Sequence, residues 1–172
     1  MRLEIPPPLA VQLKEASTSN IPVIADLAER IWRTHYTPII GSAQVNYMLE
    51  KMYSEKSLEQ QMTEGQLFFL VQLDGKTIGY ISVSKKNNSD FFMHKFYMEV
   101  SEQGKGFGKR IFSDLLSRFP ELKTMRLQVN RENYKTINFY FRVGFVIEES
   151  KDFDIGEGFF MKDYVMIYKV HK

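Results

Sequence analysis

Gln103-Gly104-Lys105-Gly106-Phe107-Gly108-Lys109-Arg110 decides how the rest of the chain is read. The aromatic run Phe91 to Val100 in front of it predicts a strand. Lys109 to Phe119 behind it predicts a helix with Ile111, Phe112, Leu115 and Leu116 inward, stopped by Pro120. Glycines let a backbone approach a ligand closely, and the first-turn N–H groups of a helix attract phosphate oxygens. Lys105, Lys109 and Arg110 add three positive charges in eight residues that contain no acid. A pyrophosphate or nucleotide-like anion is the expected partner; the bland alternative is a tight strand-to-helix turn. Two sharper motifs are excluded. A P-loop needs wider glycine spacing and a hydroxyl where Arg110 stands. A dinucleotide fingerprint needs a third Gly at Lys109 and opens the first βαβ unit, whereas this turn lies past the middle of the chain.

Outward from that turn, the pattern predicts one mixed sheet with helices. Val11, Leu13 and Glu15 read as a weak first strand, led in by Pro6-Pro7-Pro8. Ile24, Leu27, Ala28 and Ile31 recur at helical spacing between Pro22 and about His35, and Thr37-Pro38 should end that helix. Ser42 to Met52 and Ser57 to Thr63 read as short helices, the first with Val45, Leu49 and Met52 on one face. Gln66 to Leu73 and Lys76 to Ser84 form a hairpin about Asp74-Gly75. Thr124 to Val129 is a strand, and Asn133 to Val143 an aromatic helix capped by Gly144. Phe145 to Glu148 and Tyr164 to Val170 are closing strands, with Asp154 to Gly158 as the loop between them. The fold class is α/β (α+β).

Composition narrows the chemistry. A length of 172 residues suits one domain, and 44% hydrophobic residues with net charge +2 exclude a disordered chain. Near-balanced charge speaks against a partner that is nucleic acid or anionic membrane. Without cysteine there is no disulfide, thiolate nucleophile, Cys-ligated zinc or Fe–S cluster. His35, His94 and His171 show no metal spacing, so no metal is expected. Met1 to Pro8 lacks a signal peptide's apolar core. Thr34 to Leu49, the longest stretch without Asp, Glu, Lys or Arg, is too short and too polar to span a bilayer. A cytoplasmic protein is the default expectation.

Phe96-Tyr97-Met98-Glu99-Val100-Ser101-Glu102-Gln103-Gly104-Lys105-Gly106-Phe107-Gly108 resembles the acetyl-CoA motif of the GNAT N-acetyltransferase superfamily. That motif is an aromatic-rich strand ending in Gln/Arg-x-x-Gly-x-Gly/Ala, matched by Gln103, Gly106 and Gly108. Asn133-Tyr134-Lys135-Thr136-Ile137-Asn138-Phe139-Tyr140-Phe141-Arg142-Val143-Gly144-Phe145 resembles the family's second motif, with Thr136 in place of the common Ala. Gly79 fits its frequent Ile-Gly-Tyr/Phe segment. The resemblance covers about residues 10 to 170 and implies a mostly antiparallel sheet splayed at the cofactor site.

Acetyl transfer from a thioester to an amine needs a deprotonated amine, a donor for the oxyanion and a proton for the departing sulfur. By resemblance, acetyl-CoA is the cosubstrate. Backbone groups of Tyr97, Met98 and Val100 would pair with the pantetheine arm, with an N–H near Met98 at the thioester oxygen. Gln103, Gly104, Lys105, Gly106, Phe107, Gly108, Lys109 and Arg110 would hold the pyrophosphate. Asn133 would hydrogen-bond the cofactor, with Asn138 nearby, and Arg142 would meet the remaining phosphate. Tyr140 is the expected general acid, against the alternative of a core tyrosine. Glu99 is the expected base, directly or through water, against a plain strand carboxylate.

The first helices normally shape the acceptor site in this superfamily, and here they offer Trp32, His35, Tyr36, Tyr47 and Tyr53. The pattern looks closest to PaiA-type polyamine acetyltransferases, through the Trp/Tyr-bearing first helix, the Glu-bearing helix after it and a Phe153 to Tyr164 loop. A small amine such as spermidine or spermine is the expected acceptor. The alternatives are a protein N-terminus or lysine as acceptor, a CoA-binding sensor without turnover, and a generic nucleotide-binding protein. Met161, Val165 and Ile167 on the closing strands would permit a homodimer.

Overall fold

The computed structural model describes residues 10–171, and the Pro6-Pro7-Pro8 run lies outside them. The strands are β1 (Val11–Glu15), β2 (Leu67–Leu73), β3 (Lys76–Lys85), β4 (Asp90–Met98), β5 (Thr124–Asn130), β6 (Val146–Gly156) and β7 (Phe159–Lys169). The helices are α1 (Ile21–His35), α2 (Thr37–Ile40), α3 (Ser42–Tyr53), α4 (Glu55–Thr63), α5 (Phe107–Ser117) and α6 (Tyr134–Val143). One seven-stranded sheet runs β1-β2-β3-β4-β5-β7-β6. Every neighbouring pair is antiparallel except β4 and β5, which α5 joins as a parallel crossover.

Two apolar clusters cover the two faces of the sheet. Ile24, Leu27 and Ile31 of α1 pack with Val45 of α3 and Leu58 of α4 over Phe68, Leu70 and Tyr80. Ile111, Phe112 and Leu115 of α5 pack with Ile137 and Tyr140 of α6 over Ile81, Met93, Met125 and Leu127. The residues that set the helical period in the sequence are therefore the ones that fill the core.

β4 shows how the sheet opens. Ser82 of β3 faces Lys95, but Val83 faces Met93, so His94 is an extra residue bulged out of the ladder. The bulge resets the alternation: Phe91 and Met93 before it, and Phe96 and Met98 after it, all point to the α5/α6 face. It also marks where β5 is lost, because the last β4–β5 pair is Met93 with Leu127. From His94 onward the two strands part, as the splayed sheet requires.

Several boundaries differ from expectation for local reasons. Pro38 lies in the first turn of α2 instead of stopping the chain, a position where its missing N–H costs nothing. α4 starts at Glu55 because the Ser54 hydroxyl accepts from the Ser57 N–H at 3.3 Å. β4 ends at Met98, and Val100–Glu102 form a 3-10 turn. The expected Asp154–Gly158 loop is largely strand, and so is the Phe153–Tyr164 loop. β6 runs to Gly156 and the turn is only Glu157-Gly158, with φ of +53° and +77°. β6 is an edge strand with most of its residues exposed, so no apolar alternation announces it. Val165 and Ile167 are buried inside the fold, because β7 lies between β5 and β6; neither is free to form a dimer face.

Gly79 marks the tightest strand contact. A Cβ there would lie 2.3 Å from the Tyr97 carbonyl oxygen and about 3 Å from Met98. Gly79→Ala should lower the unfolding free energy by about 2 kcal/mol, read as a lower denaturant midpoint, because backbone and not a flexible side-chain tip must move.

Candidate active site

α5 opens directly out of the glycine turn. Gly106 takes φ +83°, a left-handed conformation that suits glycine, and no side chain caps the helix. The first-turn N–H groups thus have no side-chain acceptor. Gly108 lets α6 come close, since a Cβ would lie 2.8 Å from the Phe139 ring. Gln103 donates its side-chain N–H to the Met98 carbonyl at 3.1 Å and ties the turn to the end of β4.

Two cavities meet where β4 and β5 part. The larger, about 360 Å³, extends from the glycine turn past Phe139, Tyr140 and Arg142 to the gap. The smaller, about 210 Å³, lies among Trp32, Met48, Gln61, Gln66, Met161 and Asp163. Tyr36, His94, Lys95, Tyr97, Gln128 and Val129 line both. The β6–β7 hairpin is fastened to α3 over the smaller cavity. Gln44 donates to the Phe160 carbonyl at 2.9 Å, and Tyr47 and Lys51 both donate to the Ile155 carbonyl.

Residues 37–160 match the acetyltransferase (GNAT) domain family. The chain belongs to that family. Its mixed sheet with flanking helices is the GNAT fold, and it is an acyltransferase. It is 20% identical over 153 residues to a spermidine N(1)-acetyltransferase of Thermoplasma acidophilum, covering 85% of this chain and 94% of the relative. Among solved structures it is similar to a PaiA N-acetyltransferase of the same organism in complex with coenzyme A. The TM-score is 0.78 at 20% identity, over 94% of this chain and 99% of that one. A ribosomal-protein-S18-alanine N-acetyltransferase of Escherichia coli superposes with TM-score 0.72 at 16% identity, over 95% and 96%.

Within this GNAT fold the expected site residues divide. Tyr97, Met98, Gln103, Gly104, Gly106, Gly108, Lys109, Arg142 and Tyr140 line the larger cavity, and Trp32 and Tyr36 the smaller. Tyr140 is buried, and burial pushes its phenol well above its ordinary pKa, so it carries its proton at neutral pH. Thr136 lines the larger cavity without disturbing α6. Other expected residues stand elsewhere. Phe107 is buried in the core beneath the turn. Lys105 pairs with Glu102 at 3.0 Å, an acid just outside the turn. Val100, Arg110 and Asn138 are exposed and line neither cavity. Asn133 is buried as the N-cap of α6: its side-chain oxygen accepts from the Thr136 N–H and lies 3.2 Å from His35 Nε2, and its amide nitrogen is 3.4 Å from the Tyr36 hydroxyl. Asn133 is thus spent on joining α6 to α1, and is absent from both linings. Glu99 departs furthest from expectation. Its carboxylate is held by Arg30 and by Lys76 at 3.8 Å, and it touches neither cavity. A carboxylate so paired latches α1 to the end of β4 and is badly placed to take a proton from an acceptor.

Sequence reasoning missed His94, Lys95, Gln128 and Asp163. Lys95 carried a signal, a charge flanked by aromatic residues inside the expected strand; Asp163, next to Lys162, reads from the sequence as one of an adjacent charge pair. Lys95 is 3% exposed, and its ammonium donates to the Gln61 side-chain oxygen at 2.5 Å and that of Gln66 at 3.4 Å, over the rings of Phe68 and Tyr53. Burial lowers the Lys95 pKa from 10.5 to about 7. Burial pushes His94 down to about 4. Between about pH 7 and 10.5 the unfolded chain therefore holds a Lys95 proton that the folded chain has released, so this group makes stability rise with pH. In denaturant titrations from pH 7 to pH 10, the unfolding free energy of wild type minus that of Lys95→Met should increase.

Proposed function

We propose that this GNAT enzyme transfers an acetyl group from acetyl-CoA to a primary amine by direct attack, and that the acceptor is a small polyamine-like cation. The observation that carries the reading is the parting of β4 from β5 with a cavity on either side meeting at the gap. Acetyl-CoA supplies an acyl group activated as a thioester. The PaiA structure similar to this chain is described as a complex with coenzyme A, which supports the same ligand here.

The larger cavity suits such a ligand from end to end. At its outer end the uncapped start of α5, with Gly104, Gly106 and Lys109 on the lining, offers N–H groups and positive charge to a diphosphate. Arg142 lines the same cavity from α6, adding to the positive field. Along the gap, β4 backbone from His94 to Tyr97 has lost its β5 partners and can pair with an extended, amide-bearing arm. A backbone N–H near Met98 serves as donor to the thioester oxygen, where charge develops during attack. Tyr140 supplies the proton to the leaving sulfur, since its hydroxyl stays protonated and its ring lines the cavity. With Glu99 committed to Arg30 and Lys76, and no carboxylate among the described residues on the wall shared by the two cavities, the amine's proton leaves to water.

The acceptor cavity favours a small amine. At about 210 Å³ it has room for roughly seven waters, and the hairpin fastened to α3 roofs it. Trp32 and Tyr36 stack at 4.4 Å and present aromatic faces that suit a cation. The relative named as a spermidine N(1)-acetyltransferase supports a polyamine.

Thiol release from acetyl-CoA over a panel of spermidine, 1,4-diaminobutane, n-butylamine, an Ala-first peptide and an aminoglycoside tests this reading. Release with the small amines is expected, and Tyr140→Phe should lower kcat roughly 100-fold. Release with peptide or aminoglycoside alone would overturn the acceptor class. Equal rates in wild type and Tyr140→Phe would remove Tyr140 from the mechanism, and CoA binding without release from any amine would make the protein a sensor.

A further inference from the structure

We propose that Asp163 is the docking point for the non-reacting ammonium group of a diamine acceptor, a specificity role that rests on the small-amine reading of the smaller cavity. Asp163 is 4% exposed on β7 and lines that cavity. Among the described residues no hydrogen bond or ion pair reaches its carboxylate; the nearby Arg131 instead pairs with Asp152 at 2.7 Å. Neither carboxylate oxygen is among the fully enclosed polar atoms without a partner, so the group opens onto the space it lines. A buried, unpaired carboxylate is costly to a fold and asks for a cationic partner.

The surroundings define that partner. Asp163 is the only carboxylate on the cavity lining among the described residues. Trp32, Tyr36 and Tyr97 supply aromatic faces. Lys95, also on the wall, is bound by two amide oxygens and burial favours its neutral form, so it offers no competing anion and the cationic end of an acceptor is directed to Asp163. Asp163 does not line the stretch shared with the larger cavity, where transfer takes place. It is thus set back from the reacting nitrogen, and the charge it receives belongs to a second amine along the acceptor. A monoamine leaves it unpaired.

Burial holds the Asp163 pKa near 6, above the ordinary carboxylate value, so the group is ionised at neutral pH. The charged and titratable groups facing it are Arg131 from the β5–α6 connection, Asp152 from β6, Tyr36 from the end of α1, and Lys151, opposite it in the β6–β7 register. Lys151 sits 5.3 Å over the Phe153 ring and makes no ion pair with Asp163.

The test compares 1,4-diaminobutane with n-butylamine at pH 8 in wild type and Asp163→Asn, by kcat/KM and by calorimetric binding to the CoA-loaded protein. Retained acetyl-CoA binding shows that the variant is folded. The diamine-to-monoamine ratio of kcat/KM should fall roughly 30-fold in Asp163→Asn, recover in part in Asp163→Glu, and decline in wild type as pH drops through about 6. The diamine Kd should rise by a similar factor. An unchanged ratio, or equal loss for both amines, overturns the proposal. If wild type turns over neither amine, the small-amine reading fails, and calorimetry decides Asp163 separately. Diamine binding weakened in the variant upholds the docking role, whereas binding that is unaffected, or absent from wild type, overturns it.

Discussion

Backbone hydrogen bonds that are absent organise this molecule more than any that are formed. β4 and β5 pair for four residues and then separate at the bulged His94. Buried N–H and C=O groups left without partners are expensive, about 1–3 kcal/mol each, so a gap of this kind persists only where it is held open from both sides. Here α5 and α6 hold it on one face and α1 to α4 on the other. The bulge also resets the strand's alternation, and so sends Lys95 and Tyr97 to the α1–α4 face and Phe96 and Met98 to the other. One extra residue thus decides where the sheet opens and which side chains look into each half of the opening.

Charge is distributed with the same economy. The glycine-turn end of the larger cavity has an uncapped helix start and cationic side chains, Lys109 among them exposed. The smaller cavity is mostly aromatic and amide, and Lys95 and Asp163 on its wall are both buried. Ion pairs with a purely fastening role lie outside both cavities. Arg30, Glu99 and Lys76 latch α1 and the β2–β3 turn to the end of β4, and Arg126 grips Glu148 across β7 through bonds of 2.7 and 2.9 Å. Glu99 shows the difficulty of reading a carboxylate from its place in a motif: its neighbour in sequence lines the site, yet its partners come from a helix and a strand start far along the chain.

Local signals were legible wherever the physics is local. Helical periods, the Asp74-Gly75 hairpin, the strand–glycine turn–helix unit and the spacing of its two motifs all depend on near neighbours along the chain. They placed nearly every element and the glycine turn at one end of the larger cavity. β6 was mostly missed because an exposed edge strand needs no apolar alternation, and the His94 bulge because nothing in Phe91 to Met98 marks which residue the partner strand will skip.

From its residues alone, then, the chain determined its element order and its glycine-rich strand-to-helix turn, which follow from periodicity and glycine placement, and a family resemblance that its two motifs carry. Tertiary structure decided the rest: that Asn133 caps a helix, that Glu99 is tied to Arg30, and that Lys95 and Asp163 share one small cavity from strands separated by β5. Burial and partner choice arise only when distant segments are packed together, and a side chain's charge, reach and availability are set by that packing.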